Sequence, residues 1–204
     1  MLSVSKAGGY YVLQLADTLA PALVYVTRPE VEYRIPHGDD RTVFSPKNFS
    51  GSRHLIRARI ARPEEVAARR NLAFNPYDRH GDTGIYPHAR ANVETRGEAV
   101  FAAYNAIDGI YENGSHGEWP YQSWGINRDP NAEWTLSFGR PVGIDELRLT
   151  LRADFPHDSW WESAVVAFSD GSEETLELKK ESHPQAFDIK ARTVEWLTLR
   201  HLKK

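Results

Sequence analysis

The stretch Ala102–Gly125, AAYNAIDGIYENGSHGEWPYQSWG, decides how the rest of the chain is read. It opens with a turn, Asn105-Ala-Ile-Asp-Gly109. An Asp-Gly step bends the backbone sharply, because Gly accepts positive φ and Asp bonds to neighbouring amides. The residues that follow, Asn113-Gly-Ser-His-Gly117, are too small and polar to build a core. Trp119, Tyr121 and Trp124 then supply aromatic surface, either for packing or for lining a hollow. A second run of the same character stands at Arg152-Ala-Asp-Phe-Pro-His-Asp-Ser-Trp-Trp-Glu162. Two loops so rich in Trp, His, Arg and carboxylate exceed what a plain β domain needs, and loops are where function concentrates.

Composition sets bounds on that reading. With 204 residues, 41% hydrophobic and 26% charged, the chain is long and apolar enough for one medium domain with a real core. Six Trp and nine Tyr suit both core layers and stacking surfaces. The net charge of −3 is uneven, with 11 Lys and Arg against 7 Asp and Glu in residues 1–70 and 14 against 21 thereafter. The acidic larger part argues against a nucleic-acid surface. With no cysteine, disulfides and thiolate metal sites are excluded. The first twenty residues lack a basic segment followed by an apolar run, so neither a signal peptide nor a membrane span is expected. The implied location is cytoplasmic, or extracellular where a leader has been removed.

Working outward, Tyr10–Leu15 and Ala22–Thr27 read as strands, with Val31–Ile35 as a third closed by Pro36. Leu55–Arg62 alternates, which puts Ile56, Ala58 and Ile60 on one face and Arg57 and Arg59 on the other. Pro63-Glu64-Glu65 then opens a short helix running to about Arg70. Residues 1–70 are thus an N-terminal β segment packed on the remainder. Asn71–Thr95 has turn residues at most positions and reads as a long connection. Beyond the opening stretch come Glu133–Phe138, Glu146–Asp154, Ala164–Phe168, Glu174–Leu178, Phe187–Ile189 and Val194–Leu199. Ser169-Asp-Gly-Ser172 between two of these signals a hairpin. Short strands at about ten-residue spacing predict an all-β sandwich.

Four pieces in this order carry a resemblance: Asn105-Ala-Ile-Asp-Gly109; Trp119 with Ser123-Trp124; Ala132–Pro141, which ends Phe138-Gly139-Arg140; and Ile144-Asp-Glu-Leu147. The chain from about Ala89 to Lys204 resembles the galactose-binding-like β-sandwich, the jelly roll of discoidin, coagulation-factor type C and many carbohydrate-binding-module domains. The resemblance implies an antiparallel jelly roll over residues 71–204, and a structural calcium ion at the Asp-Gly loop. Asp108 is then the first candidate ligand, with Glu112 and Asn113 as additions. Calcium takes six to eight oxygens, which irregular loops supply better than strands do.

The residues themselves point to sugar. Sugar rings offer C–H faces to Trp and hydroxyls to Arg, Asp, Glu and His. A ligand pocket is expected from His116, Glu118, Trp124, Arg152, Asp154, His157, Trp160 and Trp161. Two other classes stay open. Glu118 with Asp154 or Asp158 would serve acid–base glycoside chemistry, and His88, His116 and His157 a transition metal. A structural subunit would use the N-terminal segment as a homo-oligomer interface.

Overall fold

The computed structural model describes residues 2–4, 6–153 and 160–204. In chain order its strands are β1 (Leu2–Ser3), β2 (Gly9–Gln14), β3 (Ala22–Val26), β4 (Glu30–Val31), β5 (Arg57–Ile60), β6 (Ile85–Tyr86), β7 (His88–Ala91), β8 (Trp134–Leu149), β9 (Ser163–Phe168), β10 (Glu173–Glu177) and β11 (Gln185–Lys203). One short helix, α1 (Pro63–Ala67), lies between β5 and β6. The chain is an antiparallel β-sandwich. A five-stranded sheet runs β10-β9-β11-β8-β7 and a four-stranded sheet runs β5-β2-β3-β6, while β1 and β4 form a small ladder of their own.

The main core lies on one face of the five-stranded sheet. Alternation along β8 buries Trp134, Leu136 and Phe138, which meet Val166 and Phe168 of β9 and Leu197 and Leu199 of β11. Each such side chain removed from water contributes about 1.5–3 kcal/mol. The strands expected separately at 133–138 and 146–154 are largely one strand, as are those at 187–189 and 194–199. Gly139 (φ +68°) and Pro141 bend β8 without ending it, and the β8–β11 register shifts between Val194 and Trp196 to absorb the slack. The hairpin at 169–172 is present, joining β9 to β10.

A second core covers one face of the other sheet, with Tyr11 and Leu13 of β2 against Ala22, Val24 and Val26 of β3. Three strands of this sheet lie within the first 70 residues, and β6 comes from beyond them. Pro87, with no N–H for a ladder, marks where the chain leaves this sheet and enters the other as β7.

The third strand and the helix end are corrected here, and the apolar face of β5 is placed. The third strand pairs only at Glu30–Val31, because Tyr33–Ile35 find no partner before Pro36. Ile56 and Ile60 do not point into a core: they are 62% and 64% exposed, since β5 is a sheet edge with no layer over it. The helix ends at Ala67 rather than near Arg70. Ala68 is already extended (ψ 138°), and the Arg70 guanidinium caps the last carbonyls instead.

Residues 71–95 are also more ordered than a plain connection. Asn75 is buried with its amide donating to the Pro87 carbonyl (2.8 Å), and its N–H donates to that of Ile107 (2.8 Å). Those bonds pin the segment carrying Asp78 and His80 against β7, and so position the site described next.

Candidate functional site

The strand β7 is an edge, paired with β8 alone. Ala89, opposite Leu136, is buried in the core, so its neighbours His88 and Arg90 stand on the other face. The alternation continues past the strand: Asn92 and Glu94 follow the polar side, while Ala91 is packed against the core. His80, brought over by the pinned segment, closes a hollow of about 330 Å³ lined by His80, His88, Arg90, Asn92 and Glu94.

Two imidazole–carboxylate pairs hold its walls. His88 Nδ1 lies 2.7 Å from Asp78 Oδ1, and Asp78 Oδ2 accepts the Ala89 N–H at 2.7 Å. Asp78 is buried, which pushes its carboxyl up, while His88 and the Ala89 amide pull the other way. His80 Nε2 stands 2.8 Å from Glu94 Oε2, and Glu94 Oε1 also accepts the Ala103 N–H at 2.8 Å. The hydrogen bond to Glu94 raises the His80 imidazole above its ordinary value despite its partial burial. Burial works against ionisation of Glu94, yet the bonds from His80 and Ala103 hold it below the usual range. The His80 ring meets Tyr104 edge-on, 5.1 Å between centroids. Asn92 is fixed by its amide on the Asn131 carbonyl (2.8 Å) and by the Glu133 N–H on its own oxygen (2.8 Å). Arg90 is exposed and forms no ion pair among the described residues. The hollow therefore offers pre-oriented acceptors, imidazole edges and one uncommitted guanidinium.

Of the residues expected from sequence, the structure gathers a subset. The Trp124 and Trp161 rings lie 6.0 Å apart at 57°, and both pack against the main core with Trp160, half-buried. Arg152 reaches Ser123 Oγ at 3.5 Å, one residue from Trp124. Trp124 Nε1 donates to the Val93 carbonyl (3.0 Å), so this indole cluster and the hollow share Val93. Glu118 and His116 are exposed on the next loop, whose main chain is tied elsewhere, the Trp119 N–H donating to the Thr42 carbonyl (2.7 Å). Asp154, His157 and Asp158 lie outside the described residues. Sequence reasoning missed Arg90, Asn92 and Glu94 as a set. Their signal was the strict polar alternation of 88–94 against Ala89, Ala91 and Val93.

The Asp-Gly turn is built from hydrogen bonds. Asp108 Oδ1 accepts the Ile110 N–H and Oδ2 accepts Gln122 Nε2, both at 2.7 Å. Burial pushes the Asp108 carboxyl up to about 7, against those two bonds and the field of Arg79. Gln122 is buried and its other amide atom, Oε1, meets no donor. Glu112 is exposed, and Asn113 donates its amide to the Leu151 (2.9 Å) and Ser182 (2.6 Å) carbonyls. Among the described residues no three His, Asp or Glu side chains are grouped as a metal shell. One carboxylate already facing two N–H donors does not fit an ion that takes six to eight oxygens.

No family model matches the chain, and no curated protein does. Solved structures do. One is the lectin domain of lectinolysin complexed with Lewis B antigen (14% identity, 66% of this chain and 86% of that one, TM-score 0.47). A second is the family 32 carbohydrate-binding module from C. perfringens NanJ in complex with galactose (15% identity, 56% and 81%, TM-score 0.40). A third is a Streptococcus pneumoniae fucose binding module (9% identity, 56% and 79%, TM-score 0.42). The β-sandwich formed by the two sheets described above is the architecture that the resemblance to galactose-binding-like domains implied.

Proposed function

We propose that the protein binds carbohydrate without cleaving it, and that a sugar ring occupies the hollow against β7. The observation that carries this reading is the ready-made hydrogen-bonding frame there. The His80–Glu94 pair, His88 backed by buried Asp78, Asn92 and the free Arg90 line one concavity of about 330 Å³. Polyhydroxylated rings are recognised by such convergent charged donors and acceptors in clefts of this size. Cleavage would need two carboxylic groups facing the same bond. Here Asp78 is buried behind His88, which leaves Glu94 as the one carboxylate lining the space among the described residues. The indole pair Trp124–Trp161 with Arg152 adjoins the site through Val93 and extends it for a longer glycan.

A glycan array, run with and without chelator, identifies the ligand, and calorimetry on the best hit tests the site. Arg90→Ala removes a charged hydrogen bond from an exposed position and is expected to weaken binding about tenfold or more, with an unchanged melting temperature. No reducing sugar should be released on long incubation. Undiminished binding in Arg90→Ala alongside loss in Trp161→Ala would put the sugar at the indole cluster and overturn the assignment to β7.

A further inference from the structure

A second hollow lies against the face of the four-stranded sheet that is turned away from its core. The register places Tyr10 opposite Tyr25 and Tyr25 opposite Tyr86, so three tyrosines stand in a row across β2, β3 and β6. Arg140 of β8 lies over two of them, 4.7 Å from the Tyr10 ring and 4.9 Å from the Tyr25 ring, with Nε donating to Tyr10 Oη at 2.8 Å. Two residues back along β3, Leu23 borders a space of about 400 Å³ closed by Arg70, Asn71, Phe74, Gly109 and Tyr111.

The walls of this space are set. Gly109 has φ +85°, and a Cβ there would fall 2.4 Å from the Phe74 ring, so the ring sits directly on the turn backbone. Tyr111 is 56% exposed, its hydroxyl 3.4 Å from the Asn71 amide. An aromatic ring left this open beside an amide and a guanidinium is a stacking surface with a polar edge.

The charge balance of this hollow is one-sided. Arg70 gives one amino group to the carbonyls of Val66 (2.7 Å), Ala68 (3.3 Å) and Glu65 (3.4 Å), and makes no ion pair among the described residues. Arg140 gives one amino group to the Phe138 carbonyl (2.9 Å) and likewise has no carboxylate. Partial burial and the neighbouring Arg140 charge both push the Arg70 guanidinium down. Several arginines elsewhere on this molecule are matched, Arg59 with Glu65, Arg69 with Asp145 and Arg96 with Glu98. Two crowded guanidiniums with no anion between them, beside an open aromatic hollow, leave a place for one.

We propose that this hollow is a second ligand site that takes the oxyanion of an acidic saccharide, a carboxylate or a sulfate ester, on Arg70, with the ring stacked against Tyr111 and Phe74. Asn71 donates to a ring hydroxyl, and Arg140 supplies the longer-range field. The site stands apart from β7, so neutral sugar and acidic sugar are bound by different residues.

Titration with glucuronate, glucose 6-sulfate and neutral glucose, followed by calorimetry or amide chemical shifts, tests this. The acidic probes are expected to bind and to weaken as salt rises, with glucose at least tenfold weaker in this hollow. The tighter acidic probe names the group. Arg70→Gln should lower acidic-probe affinity tenfold or more and leave the Arg90-dependent sugar binding unchanged. Tyr111→Ala, at an exposed position, should weaken the same probes several-fold with an unchanged melting temperature. Equal binding of glucose and glucuronate, no binding of either acidic probe, or retention of affinity in both variants would overturn the proposal. Loss of neutral-sugar binding in Arg90→Ala with acidic binding intact would support it, and failure of the β7 reading alone would leave it standing.

Discussion

Asp108 presents two opposed demands on one side chain, and replacing it by Asn separates them. Its carboxyl accepts the Ile110 amide and the Gln122 side chain at 2.7 Å each, yet burial raises it to about 7 from 3.8. A carboxyl raised in the fold is at no disadvantage below about pH 4, where folded and unfolded chains both carry the proton. The disadvantage grows as pH rises and is complete above about 7, where the folded chain must hold the ion. Three pH units correspond to about 4 kcal/mol, and because Asp108 keeps part of its surface in water, half of that is a sound working value. Asp108→Asn preserves the acceptor for Ile110 and removes the ion. The new amide faces Gln122, whose side chain can turn over so that Oε1, now without a donor, receives one. The variant should therefore gain about 2 kcal/mol at about pH 8, a rise in melting temperature of roughly 4–8 °C, and almost nothing at about pH 3. Thermal and urea melts at both pH values, each with chelator and with millimolar calcium, measure it. A variant less stable than the parent at about pH 8, or a parent stabilised by calcium and a variant that is not, would refute the reasoning, since a cation and not Gln122 would then neutralise Asp108.

Two further outcomes follow from single contacts. Gly109→Ala meets both a positive φ and the Phe74 ring 2.4 Å from the new methyl, and should cost about 2–4 kcal/mol in a urea melt; a loss under about 0.5 kcal/mol would show that Phe74 is free to move. The His80–Glu94 pair raises the imidazole, so its support is full below the ordinary histidine value and fades as pH rises through the raised one. The melting-temperature gap between the parent and His80→Ala should accordingly be larger at about pH 6 than at about pH 8.5, and an equal gap at both would mean that the pair does not hold the loop.

Much of the architecture was readable because strands with one buried face declare themselves. Trp134, Leu136 and Phe138 alternate with polar residues, and the strand they predict lies inside the main sheet, between β11 and β7. Where the pattern falls short, the physical cause is shared: period-two alternation reports a face, not what covers it. Ile56, Ala58 and Ile60 alternate as well as any core strand, but β5 lies at an edge where the covering layer is missing. Gly139 and Pro141 look like a break in sequence, yet tertiary pairing with β11 carries β8 through them, because a bulge accepts residues that a regular ladder rejects.

The proposed binding residues were harder to see, for a related reason. Sequence reading weighted Trp124, Trp160 and Trp161 as the mark of a sugar site, but an indole at a core edge stacks on its own protein as readily as on a ligand, and these three lean on the main core. The hollow against β7 is written instead in small residues. Ala89 and Ala91 are the inward half of a strand whose outward half is His88 and Arg90, and alanine carries too little hydrophobic contrast to reveal the alternation. His80 completes the wall, and Asp78 backs His88 behind it, from a segment that owes its place to Asn75 and its bonds to Pro87 and Ile107, contacts that no local pattern encodes. A polar site assembled from one edge strand and one pinned loop is therefore legible only after the loop has been placed. That same dependence makes Asn75→Ala the sharpest probe of the arrangement. Loss of its side-chain bonds to the Pro87 carbonyl and from the Tyr77 N–H, with the main-chain bond to Ile107 kept, should loosen His80 from β7 and weaken sugar binding without touching a residue that lines the hollow, and unchanged binding would refute it.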